Sequence, residues 1–171
     1  MSIASVQNFD SNEFRHVLGH YPTGVCAVTA MADNMPVGMI IGSFTSASLD
    51  PPLIAFFPDK RSTSWPKIEA TGRFCVNILA AHQNDVCRAL ASKAENKFEQ
   101  INYRHSGSGM PIINGAVAWI DCDLYSVHEA GDHYMVLGQV HSLNAEHSHR
   151  PLLFFQGGYG QFSPFEEPIS G

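Results

Sequence analysis

The stretch Gly42-Ser-Phe-Thr-Ser-Ala-Ser-Leu-Asp-Pro-Pro52 carries four hydroxyls, at Ser43, Thr45, Ser46 and Ser48, between two apolar runs. An extended segment that alternates in this way puts its side chains on opposite faces and leaves backbone amides along an edge. That edge suits a flat ligand with a hydrogen-bonding rim. The plainer reading is a Ser/Thr-rich strand end that runs into a Pro-Pro turn.

Upstream, residues 24–31 and Val37 to Phe44 read as the two strands of a hairpin, with Asp33-Asn34 as its turn. Before them, Asp10 and Glu13 have the spacing of a capping box, and Phe14, Val17, Leu18 and Tyr21 recur at helical spacing, predicting a short helix that ends near Tyr21-Pro22. Downstream, Leu53 to Phe57 is a strand stopped by Pro58-Asp59, and Ser64 is expected to cap a helical turn with Pro66 in its first turn. Phe74 to Leu79 reads as a buried strand and Gln83 to Lys93 as a helix. Residues 116–128 and 133–143 are strands turned by Gly131-Asp132, and Leu152 to Phe155 leads into Gly157-Gly-Tyr-Gly160. Strands outnumber helices and short turns join them, which predicts a mainly β protein, an antiparallel barrel with a few short helices. One domain is expected over 1–171, with a loose tail from Ser163.

Of 171 residues, 44% are hydrophobic and 15% charged, the composition of a globular domain with one core. The formal net charge of -6 leaves no basic footprint for nucleic acid. Cys26, Cys75, Cys87 and Cys122 are widely spaced without a C-x-x-C pair, so reduced core thiols are predicted rather than a zinc site or a disulfide framework. The N-terminal residues lack a basic region followed by an apolar run, and no window approaches the ~18 apolar residues of a membrane span. A cytoplasmic protein is expected.

Neither G-x-G-x-x-G nor G-x-x-x-x-G-K-[ST] occurs, so a nucleotide has to be held by other means. Asp59-Lys-Arg-Ser-Thr-Ser-Trp-Pro66 offers two cations, three hydroxyls and a predicted helix start. This set suits a phosphate, or a solvated loop with a helix cap. His128, His133, His141, His147 and His149 crowd the last third, where zinc would need Asp132 or Glu146 as a further ligand. No H-E-x-x-H fixes such a site, and exposed histidines with no bound metal are the reading adopted. The absence of a G-x-S-x-G elbow and the apolar setting of each cysteine argue against a hydrolase. Gly131-Asp132-His133 is either a tight turn with a satisfied histidine or a rim position from which the imidazole meets a second ligand. Trp65, Trp119, Phe98 and Tyr159 read as core or boundary aromatics, of which one or two could stack on a ring.

Taken in order, Tyr21-Pro-Thr-Gly-Val25, the 42–52 stretch, Pro58-Asp-Lys60 with Ser62 and Ser64, Phe74-Cys-Val-Asn77, Lys97-Phe98, Gly131-Asp-His133 and Pro151-Leu-Leu-Phe-Phe155 form a series. From about Phe14 to Phe162 it resembles the flavin reductase-like family. Within that family it is most similar to the small NAD(P)H:flavin oxidoreductase components of two-component flavin-dependent monooxygenases. The resemblance implies a split β-barrel, a homodimer, FMN or FAD with NADH or NADPH, and reduced flavin handed to a separate monooxygenase. It places the flavin loop on Ser43, Phe44, Thr45, Ser46 and Ser48, the phosphate side on Lys60, Ser62 and Ser64, and Asn77 near the flavin. His133 falls on the nicotinamide side, with Tyr159 as a second candidate there. Many relatives have Asn at the position of Gly42 and Ser at that of Arg61. The first difference removes an amide near the ring, and the second adds a cation near the phosphates.

On that reading hydride passes from nicotinamide C4 to flavin N5, and the protein stacks the two cofactors while backbone N–H groups of residues 43–48 polarise the ring. A flavin carrier or sensor without hydride chemistry, and another split-barrel oxidase of the pyridoxamine-phosphate type, are the alternatives.

Overall fold

Asp33 and Asn34 sit in the left-handed region, with φ of 50° and 61°, a conformation their short polar side chains tolerate and a two-residue hairpin turn requires. They join β2 (Cys26–Ala32) to β3 (Met35–Ile41), with Ala32 opposite Met35. The structure is a computed structural model that describes residues 10–146 and 148–165. The residues read above for a leader, His147 and the end of the tail lie outside these.

Helix α1 (Ser11–Leu18) starts at Asp10, whose carboxylate accepts the Asn12 N–H at 3.0 Å, one residue short of the bond a capping box makes. It buries none of its residues. The short β1 (Thr23–Gly24) precedes the hairpin, and β4 (Thr45–Leu49) and β5 (Pro52–Phe56) follow it, joined across the cis Asp50-Pro51 peptide. Then come α2 (Trp65–Thr71), β6 (Arg73–Ile78), α3 (Asn84–Ala91), β7 (Tyr103–His105) and β8 (Pro111–Ile113). The chain continues through β9 (Ala118–Ala130), β10 (His133–Ala145), β11 (Leu152–Phe155) and β12 (Gly158–Gln161).

Seven strands form one antiparallel sheet in the order β3-β2-β6-β9-β10-β5-β4. Its two outermost strands, β3 and β4, are consecutive in the chain, with only residues 42–44 between them. A few extended residues span roughly 14 Å at most, so the sheet must curl to bring the end of β3 near the start of β4. A three-stranded sheet, β1-β11-β12, and the β7-β8 pair complete the strands. Three backbone bonds link the sheets in a ring: Val25 N–H to Leu152 C=O (3.2 Å), Leu152 N–H to Leu79 C=O (2.9 Å) and Leu79 N–H to Val25 C=O (3.0 Å).

The curled sheet encloses Val28, Phe56, Trp65, Phe74, Val76 and Val136, each almost fully buried, with the Phe56 ring edge-on to Trp65 and Phe74. The ladder between β9 and β10 shifts register next to Gly138, where an added Cβ would lie 2.5 Å from Phe74 Cζ. A second cluster, including Leu79, Cys87, Leu90, Phe98 and Leu152, packs beneath α3. All four cysteines are buried and free, and burial pushes the Cys26 and Cys75 thiols up to about 12. Among the described residues no helix is long and apolar enough to cross a membrane.

Candidate functional site

The hydroxyl stretch forms an exposed edge. As the outermost strand, β4 pairs with β5 on one side only, and a register shift between Ser46 and Ser48 interrupts even that pairing. Half of its N–H and C=O groups therefore point away from the sheet. Thr45 and Ser46 are exposed and Ser48 partly so, while Phe44 packs against the core. Ser43 plays a different part, since its hydroxyl accepts the Phe57 N–H at 3.0 Å and so pins the β3–β4 corner to the end of β5. At Gly42 an added Cβ would press on Thr23 Oγ1 at 3.0 Å.

Two turns meet beside this edge. Asp59 and His133 form an isolated antiparallel bridge, with Lys60 N–H donating to Asp132 C=O and Tyr134 N–H to Pro58 C=O, both at 3.0 Å. The His133 side chain is 40% exposed, and its Nδ1 lies 2.7 Å from Asp132 Oδ1. That contact holds the Asp132 carboxyl below the usual carboxylate range and fixes the ring's orientation. Both cations of the turn are engaged. Arg61 binds the Asp59 carboxylate through Nε and Nη2, which drives that carboxyl far down, and the Asp59 carboxylate also accepts the Arg61 N–H. Lys60 binds Glu129, its ammonium 5.3 Å from the centroid of the Tyr134 ring.

On the other side of the turn lies a cleft of about 710 Å³ walled by residues 61–64, Met39 and Ile40, and residues 90–94 with Lys97. It presents Arg61, Lys93 and Lys97 beside four hydroxyls, in a protein whose net charge is -6. Lys97 Nζ donates to Leu90 C=O (3.0 Å) and Ser64 Oγ (3.3 Å); partial burial, then the nearby Lys67, lower its pKa.

The other expected residues take the following places. Asn77 is wholly buried, with its Nδ2 donating to Ala27 C=O and Thr29 Oγ1 and its Oδ1 accepting the Ile113 N–H at 2.8 Å. It acts as a core clip between β2 and β8. Ser64 sits at the N-cap of α2 but its hydroxyl makes no cap bond; Ser62 Oγ instead accepts the Trp65 N–H at 3.2 Å. Lys60 lies on the Glu129 side of its turn, outside the lining of the cleft. Tyr159 is on β12, where its hydroxyl accepts from the Cys87 thiol and its ring meets Phe154, in the sheet apart from His133. Trp65 and Phe98 are core residues, and Trp119 donates its indole N–H to Glu146. Among the described residues no three His, Cys, Asp or Glu side chains converge as a metal site. The role of Glu129 escapes the sequence, because its pairing with Lys60 joins two parts of the chain far apart in sequence.

Fold and site together define a mainly antiparallel β protein that offers an open strand edge, a cationic cleft and an oriented imidazole. The chain belongs to the flavin reductase-like family: that family's profile, described as a flavin reductase like domain, matches residues 18–163. It is 61% identical over 155 residues to a flavin reductase of Pseudomonas putida, a match covering 90% of this chain and 91% of that protein. The fold is similar to the crystal structure of a nitrilotriacetate monooxygenase component B homologue from Mycobacterium thermoresistibile, at 44% identity and a TM-score of 0.89, covering 95% of this chain and 92% of that one. It is also similar to an NADH:FAD oxidoreductase from Streptomyces globisporus in complex with NAD and FAD fragments, at 33% identity and a TM-score of 0.87, covering 92% of this chain and 96% of that one.

Proposed function

We propose that this chain is an NAD(P)H:flavin oxidoreductase that reduces FMN or FAD and supplies the reduced flavin to a separate monooxygenase. The observation that carries this reading is the junction at Asp59 and His133, which puts an oriented imidazole beside the turn that walls the cationic cleft. The donor set fits a flavin nucleotide, with neutral hydroxyls and strand-edge amides for the ring and cations with hydroxyls for phosphate. When bound, the two cofactors supply the hydride chemistry themselves. The chain's residues bind and orient: β4 meets the ring edge, Ser62 to Ser64 and the cations face the phosphate end, and His133 places the nicotinamide.

The curled sheet is read as a split barrel formed by a single domain. The apolar face of α1, with Phe14, Val17 and Leu18, and Tyr21 just beyond its end, each more than half exposed, is read as covered by a second copy in a homodimer. Four buried free thiols suit the reducing cytoplasm.

The test is NADH and NADPH oxidation with free FMN or FAD present. Turnover rises with added flavin, and flavin leaves on dialysis, because neutral hydroxyls and amides give exchangeable binding, with Kd on the order of micromolar or below. A carrier or sensor would bind flavin without oxidising NADH. An oxidase with a resident cofactor would keep its flavin through dialysis and ignore added FMN and FAD.

A further inference from the structure

Glu129 and Tyr134 are directly opposite each other on β9 and β10, so their side chains share one face of the ladder. Lys60 reaches over this pair from the facing turn, its ammonium hydrogen-bonded to Glu129 and set over the Tyr134 ring. The Glu129 side chain is 78% exposed and that of Lys60 30%. The next residue, Arg61, is tied to Asp59 in the same manner. The two cations that the sequence offers to a phosphate are thus each held by a carboxylate of the protein, and Lys60 is drawn away from the cleft lined by residues 61–64.

We propose that Glu129 is a positioning residue that competes with the flavin phosphate for Lys60, so that phosphate binding is an exchange of ion pairs in which Lys60 leaves Glu129. This rests on the flavin reductase reading above. An exposed ion pair is weak enough to be exchanged, and an arriving phosphate must displace a carboxylate of like charge before it gains the ammonium. Affinity for the phosphorylated flavin is thereby held down without altering the ring contacts. When the phosphate leaves, Glu129 recaptures the ammonium, which favours release of the product flavin.

The experiment measures direct binding of FMN and of riboflavin, by quenching of flavin fluorescence, to the wild type, Glu129→Gln, Lys60→Ala and the double variant. Glu129→Gln is expected to tighten FMN binding about twofold to fivefold and to slow FMN release, with riboflavin affinity unchanged. Lys60→Ala is expected to lower the preference for FMN over riboflavin and to abolish the effect of Glu129→Gln. If Lys60→Ala lowers that preference but Glu129→Gln leaves FMN affinity unchanged or weaker, the exchange is overturned and the phosphate-binding role of Lys60 stands. If Lys60→Ala leaves the preference unaltered, the phosphate-side reading itself fails.

Discussion

Asp59 and His133 face each other across a single antiparallel bridge, flanked on either side by a 3.0 Å backbone hydrogen bond. The bridge fixes the histidine turn against the cationic turn, so the imidazole is placed by backbone geometry and oriented by Asp132. His133→Ala should therefore lower kcat/KM for NADH by about tenfold or more, the scale of a misplaced reactant. Flavin affinity should hardly move. Stopped-flow reduction of bound flavin is the check, and an unchanged rate with unchanged NADH dependence would leave His133 without its nicotinamide role.

Asn77 lies in the core with its amide committed to strands β2 and β8. Asn77→Ala removes these bonds and strands the Ile113 N–H, at a cost of about 2–4 kcal/mol. Chemical denaturation should show that loss, while the folded fraction binds FMN as the wild type does. A variant of normal stability with weakened flavin binding would restore Asn77 as a ligand.

At Gly138 the Phe74 ring occupies the space a side chain would take. Gly138→Ala should cost about 1–3 kcal/mol through overpacking, read as a fall in the urea midpoint. A second change that shrinks the neighbour, Phe74→Leu, should recover part of the penalty. Independent, additive losses would mean that the two positions are not in conflict.

Glu146 accepts the Trp119 indole N–H and an Arg104 guanidinium N–H, both at 2.6 Å, and the Asn144 amide at 3.2 Å. These bonds, the Trp119 one first, lower its pKa. A depressed folded pKa means that the stability it contributes is present above the unfolded value of ~4.3 and is lost as pH falls through the folded one. Glu146→Gln should accordingly lower Tm at pH 7, and the gap to wild type should close below about pH 4. A gap that stays constant between pH 7 and pH 3 would rule out this contribution.

The β2–β3 hairpin, the helices and strands β6, β9 and β10 were legible because they are written locally, in a turn dipeptide, in runs of β-formers and in helical spacing. Strands β7, β8 and β12 were not, because each is short and exists by virtue of its partner. Much the same holds for the site. The hydroxyl stretch marks an edge strand from its own alternation, but nothing in it tells that Ser43 would bond Phe57. Asn77 shares its ordered motif with a family site, whereas its actual neighbours, Thr29 and Ile113, come from elsewhere in the chain. The 59–64 segment announces its cations; that Glu129 holds Lys60 follows only from the register of two other strands.

Val25, Leu79 and Leu152 close their ring of backbone bonds from three distant parts of the chain, and β1 pairs with β11 through Thr23 and Phe154. On a ribosome, the hairpin and β6 emerge early but must wait, with an N–H of Val25 unfilled, until Leu152 has cleared the exit tunnel. Contacts this remote in sequence slow folding and leave apolar surface open in the interval. The nascent protein is therefore most exposed to misassembly late in its synthesis, when most of the large sheet exists and the strand that locks it to the smaller one has not yet arrived.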